Sequence, residues 1–375
     1  MQASLCCPNV GLHRKPKMTY PPPLSDDQLE VLVSDIKDWQ ITHGSLLKII
    51  SSEEDNTVLT HPVAATLFPT LFPTGLFREA VALRRLYNEL YTAVAEDKEW
   101  LYSALKPLIE VDFLASTLWS IHEEVKREGR VQDVALGIFR SDYMIHQPNP
   151  GQAPQLKQVE FNTISCAGGI HSNRISDMHR HLHRTVAYQP LSTESTFVDM
   201  DSCTPPTNRT LSRISAGLYA AHNAYGSPKS SPTMQKCILF IVQGRNFNIA
   251  DERPIEYALW QQSIPTYRLL FGQDVLDHTT LTPSRELLYR PPHRKTPMEV
   301  STVYYRAGFE EHEYNDSNGV GRAASSVANS VTSVILPVFE RLDITGSIIQ
   351  ALKYHYSIIG SIMSKTPSYS RITIV

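Results

Sequence analysis

The sequence predicts an α/β protein with a helix-rich N-terminal region and a small second domain built on parallel strands. Three observations lead there. Apolar residues recur at helical spacing as far as Lys126. From Val134 the pattern changes to a period of two. Between Cys237 and Phe271 an apolar strand, a helix and a second strand follow one another, the order of a β-α-β unit.

Taken in order, Ser25 and Gln28 form a capping-box pattern, and Leu29, Leu32, Ile36 and Trp39 continue at helical spacing towards Gly44. Two prolines in Leu67–Pro73 forbid a helix there, so that stretch should lie extended over the core. One long helix is expected from Leu76 to about Leu105, with Phe77, Ala80, Leu83, Leu86, Leu90 and Val94 on its apolar stripe. Another should run from Phe113 to Lys126 and stop at Gly129. Val134–Met144 and Leu156–Thr163 read as strands separated by a Pro/Gly-rich turn. A helix carrying Ile175, Met178, Leu182 and Val186 follows, and the Ser/Thr/Pro-rich residues 190–234 read as a long connection. Then come a strand (Cys237–Gln243), a helix (Pro254–Gln262), a strand (Thr266–Phe271) and a last strand, Val300–Arg306.

Composition excludes little but does so cleanly. A net charge of -3 gives no electrostatic footprint for nucleic acid or an anionic membrane. The apolar runs are too short to span a bilayer, and the first residues lack a secretory core. Five cysteines without a CxxC pair point to free thiols in a reducing compartment, so a cytoplasmic location is expected. Met18 reads as the natural start, with residues 1–17 a disordered extension.

Chemistry concentrates in Leu156–Ser165. Alternation places Lys157, Val159 and Phe161 on one face and Gln158, Glu160 and Asn162 on the other. Glu160 and Asn162 thus offer two oxygen ligands side by side, suited to a hard cation such as magnesium; equally, they form a solvated polar face. A hairpin would bring Arg140 close to Glu160, either for phosphate or carboxylate recognition or as a plain ion pair with Asp142 or Glu160.

Here the sequence resembles a known family. FRSDYM, QVEFNTIS and the pair Gly168-Gly169, with TLFPT around Thr70, RNFNIADERPIE from Arg245 and VYYRAGF from Val303, resemble ordered segments of eukaryotic glutathione synthetases. The resemblance implies an ATP-grasp fold, so the chain is read as a partial ATP-grasp protein. It also implies an ATP-dependent carbon–nitrogen ligase that joins γ-glutamylcysteine to glycine through an acyl-phosphate, with magnesium, in a homodimer. Glu160 and Asn162 then resemble magnesium ligands, with Glu160 also near the nucleotide. Arg140 resembles a substrate-contacting arginine that stabilises developing negative charge. Ile164, Ser165, Cys166 and Ala167 resemble the loop that holds γ-glutamylcysteine, with Ala167 where the family often has a second serine. Asn246, Phe247, Asn248 and Glu252 resemble another substrate-contacting stretch, Phe247 standing where some members have arginine. Arg306, Ala307, Gly308 and Phe309 resemble an RDGY-like turn whose aspartate and tyrosine are replaced.

The division expected is residues 18–200 for the N-terminal part of the synthetase, 201–235 for a connection, 236–323 for the substrate domain and 324–375 for a divergent tail. That tail shows no counterpart of the family's nucleotide-clamping lysines or glycine-rich lid, so impaired activity is expected, and a frameshift, retained intron or mispredicted exon is the expected origin. The alternatives are a non-catalytic protein that binds glutathione or γ-glutamylcysteine, and a dimerising fragment. His179 and His183 stand at i,i+4 but lack a third metal ligand, and with His181 they are expected to be solvated; Cys166 lacks a histidine partner, and Gly319-Val320-Gly321 is a lone GxG.

Overall fold

The computed structural model describes residues 4–7 (backbone only), 20–50, 59–128, 134–191 and 205–314. The chain begins with β1 (Ser4–Cys7), α1 (Asp26–Thr42), β2 (Leu46–Lys48), β3 (Thr60–Pro62) and β4 (Thr70–Pro73). β1 lies parallel to β4, so the stretch expected to be a disordered extension contains a strand. The capping box of α1 is formed: Gln28 N–H donates to Ser25 Oγ, and the Gln28 side chain accepts from Ser25 N–H. Leu32 and Ile36 bury the inner face of that helix.

Three helices follow: α2 (Thr74–Glu96), α3 (Lys98–Ile109) and α4 (Phe113–Glu128). The single helix expected from Leu76 to Leu105 is therefore two. Asp97 interrupts it, because its carboxylate accepts from Trp100 N–H at 3.0 Å and starts a new helix. The apolar stripe of α2 stays half-buried, with Leu86 exposed, whereas α3 buries Leu101, Leu105 and Leu108.

Next stand the hairpin strands β5 (Arg140–His146) and β6 (Gln155–Asn162), then α5 (Gly169–Arg184). β5 starts at Arg140 rather than Val134, and the antiparallel ladder slips between Asp142 and Tyr143. Residues 190–234 are not only a connection, since α6 (Thr210–Ala224) lies within them. Leu211, Ile214 and Leu218 carry its apolar face, a helical spacing masked by the surrounding Ser, Thr and Pro.

The remainder is β7 (Lys236–Val242), α7 (Ile249–Gln261), β8 (Thr266–Leu270), α8 (Gln273–His278), β9 (Thr279–Leu281), β10 (Leu287–Tyr289), β11 (Met298–Arg306) and a 3-10 turn (Glu311–Tyr314). A five-stranded sheet forms in the order β8-β7-β11-β10-β9. β7 is parallel to β8 and β11, as expected, while β9 and β10 add an antiparallel edge that strand patterning did not reveal.

Alternation along β7 explains the layers. Cys237, Leu239 and Ile241 share a core with Leu105 of α3 and Leu118 of α4; Ile238, Phe240 and Val242 pack with Leu218 of α6 and Leu259 of α7. Helices from the N-terminal region thus cover one face of the later sheet, so the two regions share a core. The expected tail, residues 324–375, and the lone GxG at Gly319–Gly321 lie outside the described residues.

Candidate functional site

The site gathers where the β5–β6 hairpin, the turn leading to α5, the start of α7 and the end of β11 meet. The hairpin register sets Arg140 opposite Asn162 and Asp142 opposite Glu160. Arg140 grips Asp142 with two nitrogens at 2.9 Å and reaches Glu160 Oε1 at 3.2 Å. Both ion pairs foreseen for it are therefore formed together. Burial works against its charge, but Asp142, followed by Cys166 and Glu160, more than offsets this and raises its pKa. The Asn162 amide donates to Glu160 at 2.8 Å. Asn162 is buried and Glu160 partly so, which removes the reading of a solvated polar face.

Glu160 and Asp142 supply carboxylate oxygens of the kind a hard cation takes, while the Asn162 amide turns its nitrogen towards both of them. Among the described residues no group of three or more His, Cys, Asp or Glu side chains could hold a metal by itself.

The loop Ile164–Ala167 is pinned by side chains from β5 and β11 and by one of its own. Arg140 donates to Ala167 O at 2.9 Å, Arg306 donates to Cys166 O at 2.6 Å, and Ser165 Oγ donates to Tyr305 O at 3.3 Å. Ser165 holds a left-handed φ of 48°. The two glycines that follow have separate reasons. Gly168 has φ 83°, and a Cβ on Gly169 would meet Thr210 Cγ2 of α6 at 2.6 Å.

Arg306 is only 5% exposed. Its Nε donates to Glu252 at 3.2 Å, and its Nη2 lies 3.7 Å from Asp251. Burial opposes its charge, yet Tyr304 and the neighbouring carboxylates raise its pKa overall. Glu252 is engaged on every side: it also accepts from Asn246 at 2.7 Å and from Arg268. Arg268 pairs in turn with Glu256, whose own pKa burial pushes up despite Arg268 and Arg253. Asn246 Oδ1 accepts from Asn248 N–H at 2.9 Å, while Asn248 Oδ1 bonds the His171 ring at 3.0 Å. Phe247 differs from its neighbours: the residue is 54% exposed, and its carbonyl accepts from Lys48 N–H. An adjoining cavity of about 250 Å³ lies beside Asn246, Arg253, Arg268 and Lys48 at the C-terminal ends of β7 and β8.

Ala307 is buried, and Gly308 takes φ 84°. The N–H groups of Gly308, Phe309 and Glu310 converge on Glu313 Oε2 at 3.0, 3.0 and 2.9 Å. That carboxylate shapes the turn from within the chain. Asp251, Arg268 and Glu313 escaped sequence reasoning because each acts on an element distant in sequence or on its own turn.

His179 overturns its expectation. It is fully buried, bonds Tyr188 OH at 2.6 Å, and burial lowers its pKa to about 4. His181 stacks on Trp39 at 4.8 Å. No helix among the described residues is long and apolar enough to cross a membrane.

Residues 26–343 match the family described as eukaryotic glutathione synthase, ATP binding domain, a match that runs beyond Ala324, where the sequence resemblance was expected to end. The chain is 30% identical over 305 residues to the glutathione synthetase large chain of Schizosaccharomyces pombe, covering 77% of this chain and 58% of that one. It is 31% identical over 299 residues to the glutathione synthetase of Dictyostelium discoideum, covering 78% and 59%. Against the Homo sapiens glutathione synthetase it is 31% identical over 295 residues, covering 79% and 57%. The chain thus spans 57–59% of the length of these relatives. Among solved structures, a glutathione synthetase-like effector (GSS30) from Globodera pallida superposes with a TM-score of 0.61 at 18% identity, over 93% of this chain and 75% of that one. That likeness concerns the fold.

Proposed function

The chain belongs to the eukaryotic glutathione synthase family, and from that premise we propose that it takes part in the ATP-dependent ligation of γ-glutamylcysteine to glycine. The observation that carries the reading is the pinned loop Ile164–Ala167, with Arg140 beside it and partly open to solvent. Two of its carbonyls are held by guanidinium groups, which leaves its outer face to receive a dipeptide.

In this reading Arg140 binds the reacting carboxylate end of the dipeptide and holds its negative charge, exchanging its two-pronged pairing with Asp142 for the same pairing with the ligand. Asn246 and Asn248 present amides along the same approach, and Phe247 contributes an exposed apolar surface. Glu160 and Asn162, with Asp142, would hold magnesium, which when bound neutralises phosphate charge on ATP. Arg306, Ala307, Gly308 and Phe309 contribute through the shape of their turn, Glu252 through its buried bonds. A cytoplasmic location and a homodimer complete the proposal.

The test is direct. Purified full chain is incubated with ATP, magnesium, γ-glutamylcysteine and glycine, and ADP and glutathione are measured. Formation of both products, dependent on both amino-acid substrates, is expected. Dipeptide binding without ADP release would make the chain a binding protein rather than a ligase, and absence of both binding and turnover would end the reading.

A further inference from the structure

We infer that Asp251 is a positioning residue: together with Arg306 it sets the backbone of the 164–168 loop, on which the proposed function relies for γ-glutamylcysteine. Asp251 lies in the first turn of α7, is 3% exposed, and sits 83 residues from the loop in sequence. Its carboxylate accepts from Gly168 N–H at 2.7 Å, Ile170 N–H at 2.8 Å and His171 N–H at 3.2 Å. These are donors at the start of α5, which the helix itself cannot satisfy. Helices commonly solve this with a Ser, Thr, Asp or Asn at the cap. Here the cap is Gly168, which has no side chain, so the acceptor comes from another element.

The same carboxylate lies 3.7 Å from Arg306, whose other nitrogen bonds Cys166 O. One buried acid therefore fixes the N–H of residue 168 and, through Arg306, the carbonyl of residue 166. Arg140 takes the intervening carbonyl of Ala167. With the peptides that follow it held and its own Oγ donating to Tyr305 O, Ser165 keeps a left-handed φ that a serine adopts only when its surroundings impose it. Arg306 acts through Cys166 O and Asp251 rather than on the dipeptide, since it is buried with its nitrogens directed at protein acceptors.

The experiment is amide hydrogen exchange on the full chain and on Asp251→Asn, read beside calorimetric titrations with γ-glutamylcysteine and with ATP and magnesium. Charged acceptors give the stronger hydrogen bonds, so exchange at Gly168, Ile170 and His171 should accelerate about tenfold or more in the variant. Dipeptide affinity should fall by about the same factor, with nucleotide affinity and exchange elsewhere unchanged. Unchanged exchange at these three amides, or a loss of protection spread evenly over the chain, overturns the inference. Should the variant not fold, the unmodified chain decides. Its amides at Gly168, Ile170 and His171 should exchange more slowly than the first-turn amides of α2, whose cap residue is Pro73, and equal rates overturn the inference. If the unmodified chain fails to bind γ-glutamylcysteine, the proposed function falls, while the exchange rates still settle the role of Asp251.

Discussion

Arg140 and Arg306 make the same kinds of contact in opposite settings. Each donates to a carbonyl of one loop, Ala167 O for the first and Cys166 O for the second, and each meets two carboxylates. The Arg306 side chain is 4% exposed, however, against 42% for Arg140. Around Arg306 the acids are themselves buried and shared with Arg268, Asn246 and the start of α5. Around Arg140 the acids are partly exposed. The two arginines thus differ in burial rather than in the kinds of partner they hold.

The comparison breaks most visibly if Arg306 is removed. Arg306→Ala leaves Asp251 buried without its cation and Glu252 with Arg268 alone, and stability should drop by about 3–5 kcal/mol in denaturant unfolding. A loss below about 1 kcal/mol would place Arg306 with the exposed pairs.

Acid provides a control remote from both centres. His179 has its pKa lowered by burial from 6.5 to about 4, so the unfolded chain binds its proton more readily. Its contribution is present above the ordinary histidine pKa and is lost as pH falls from 6.5 towards 4, on the order of 3 kcal/mol in full. Unfolding curves across that window should steepen in pH dependence relative to His179→Leu; identical slopes would contradict a buried, neutral imidazole.

Arg140→Ala should change stability by no more than about 1 kcal/mol, because its partners keep access to water. A thermal unfolding midpoint as depressed as that of Arg306→Ala would erase the distinction. The smallest effect belongs to Glu160→Gln. Stability should stay within about 0.5 kcal/mol of the unmodified chain, since a partly exposed group is replaced by an isostere. Magnesium-dependent nucleotide binding should weaken in the same variant, as read by titration with and without the metal, and an unchanged metal dependence would remove Glu160 from the ligand set.

Much of this arrangement was legible in the sequence. Period-two alternation placed Glu160 beside Asn162, and the β-α-β order anticipated the parallel pairing of β7 and β8. Other features were not legible because their causes are tertiary. Nothing local to Asp251 shows that it caps a helix 83 residues away. Asp97 reads as an ordinary helical residue until its carboxylate is seen to accept from Trp100. His179 carries no sign of burial in a segment so rich in charged and polar residues, and α6 hides in a stretch whose composition resembles a loop.

The central claim is that the exposed arginine meets the dipeptide and the buried one only shapes its loop. Calorimetric titration of γ-glutamylcysteine into the full chain and into Arg140→Ala tests it most directly. The account predicts saturable binding to the unmodified chain and affinity weaker by about tenfold or more in the variant, the worth of hydrogen bonds to a charged group. Equal affinity in both proteins would contradict it.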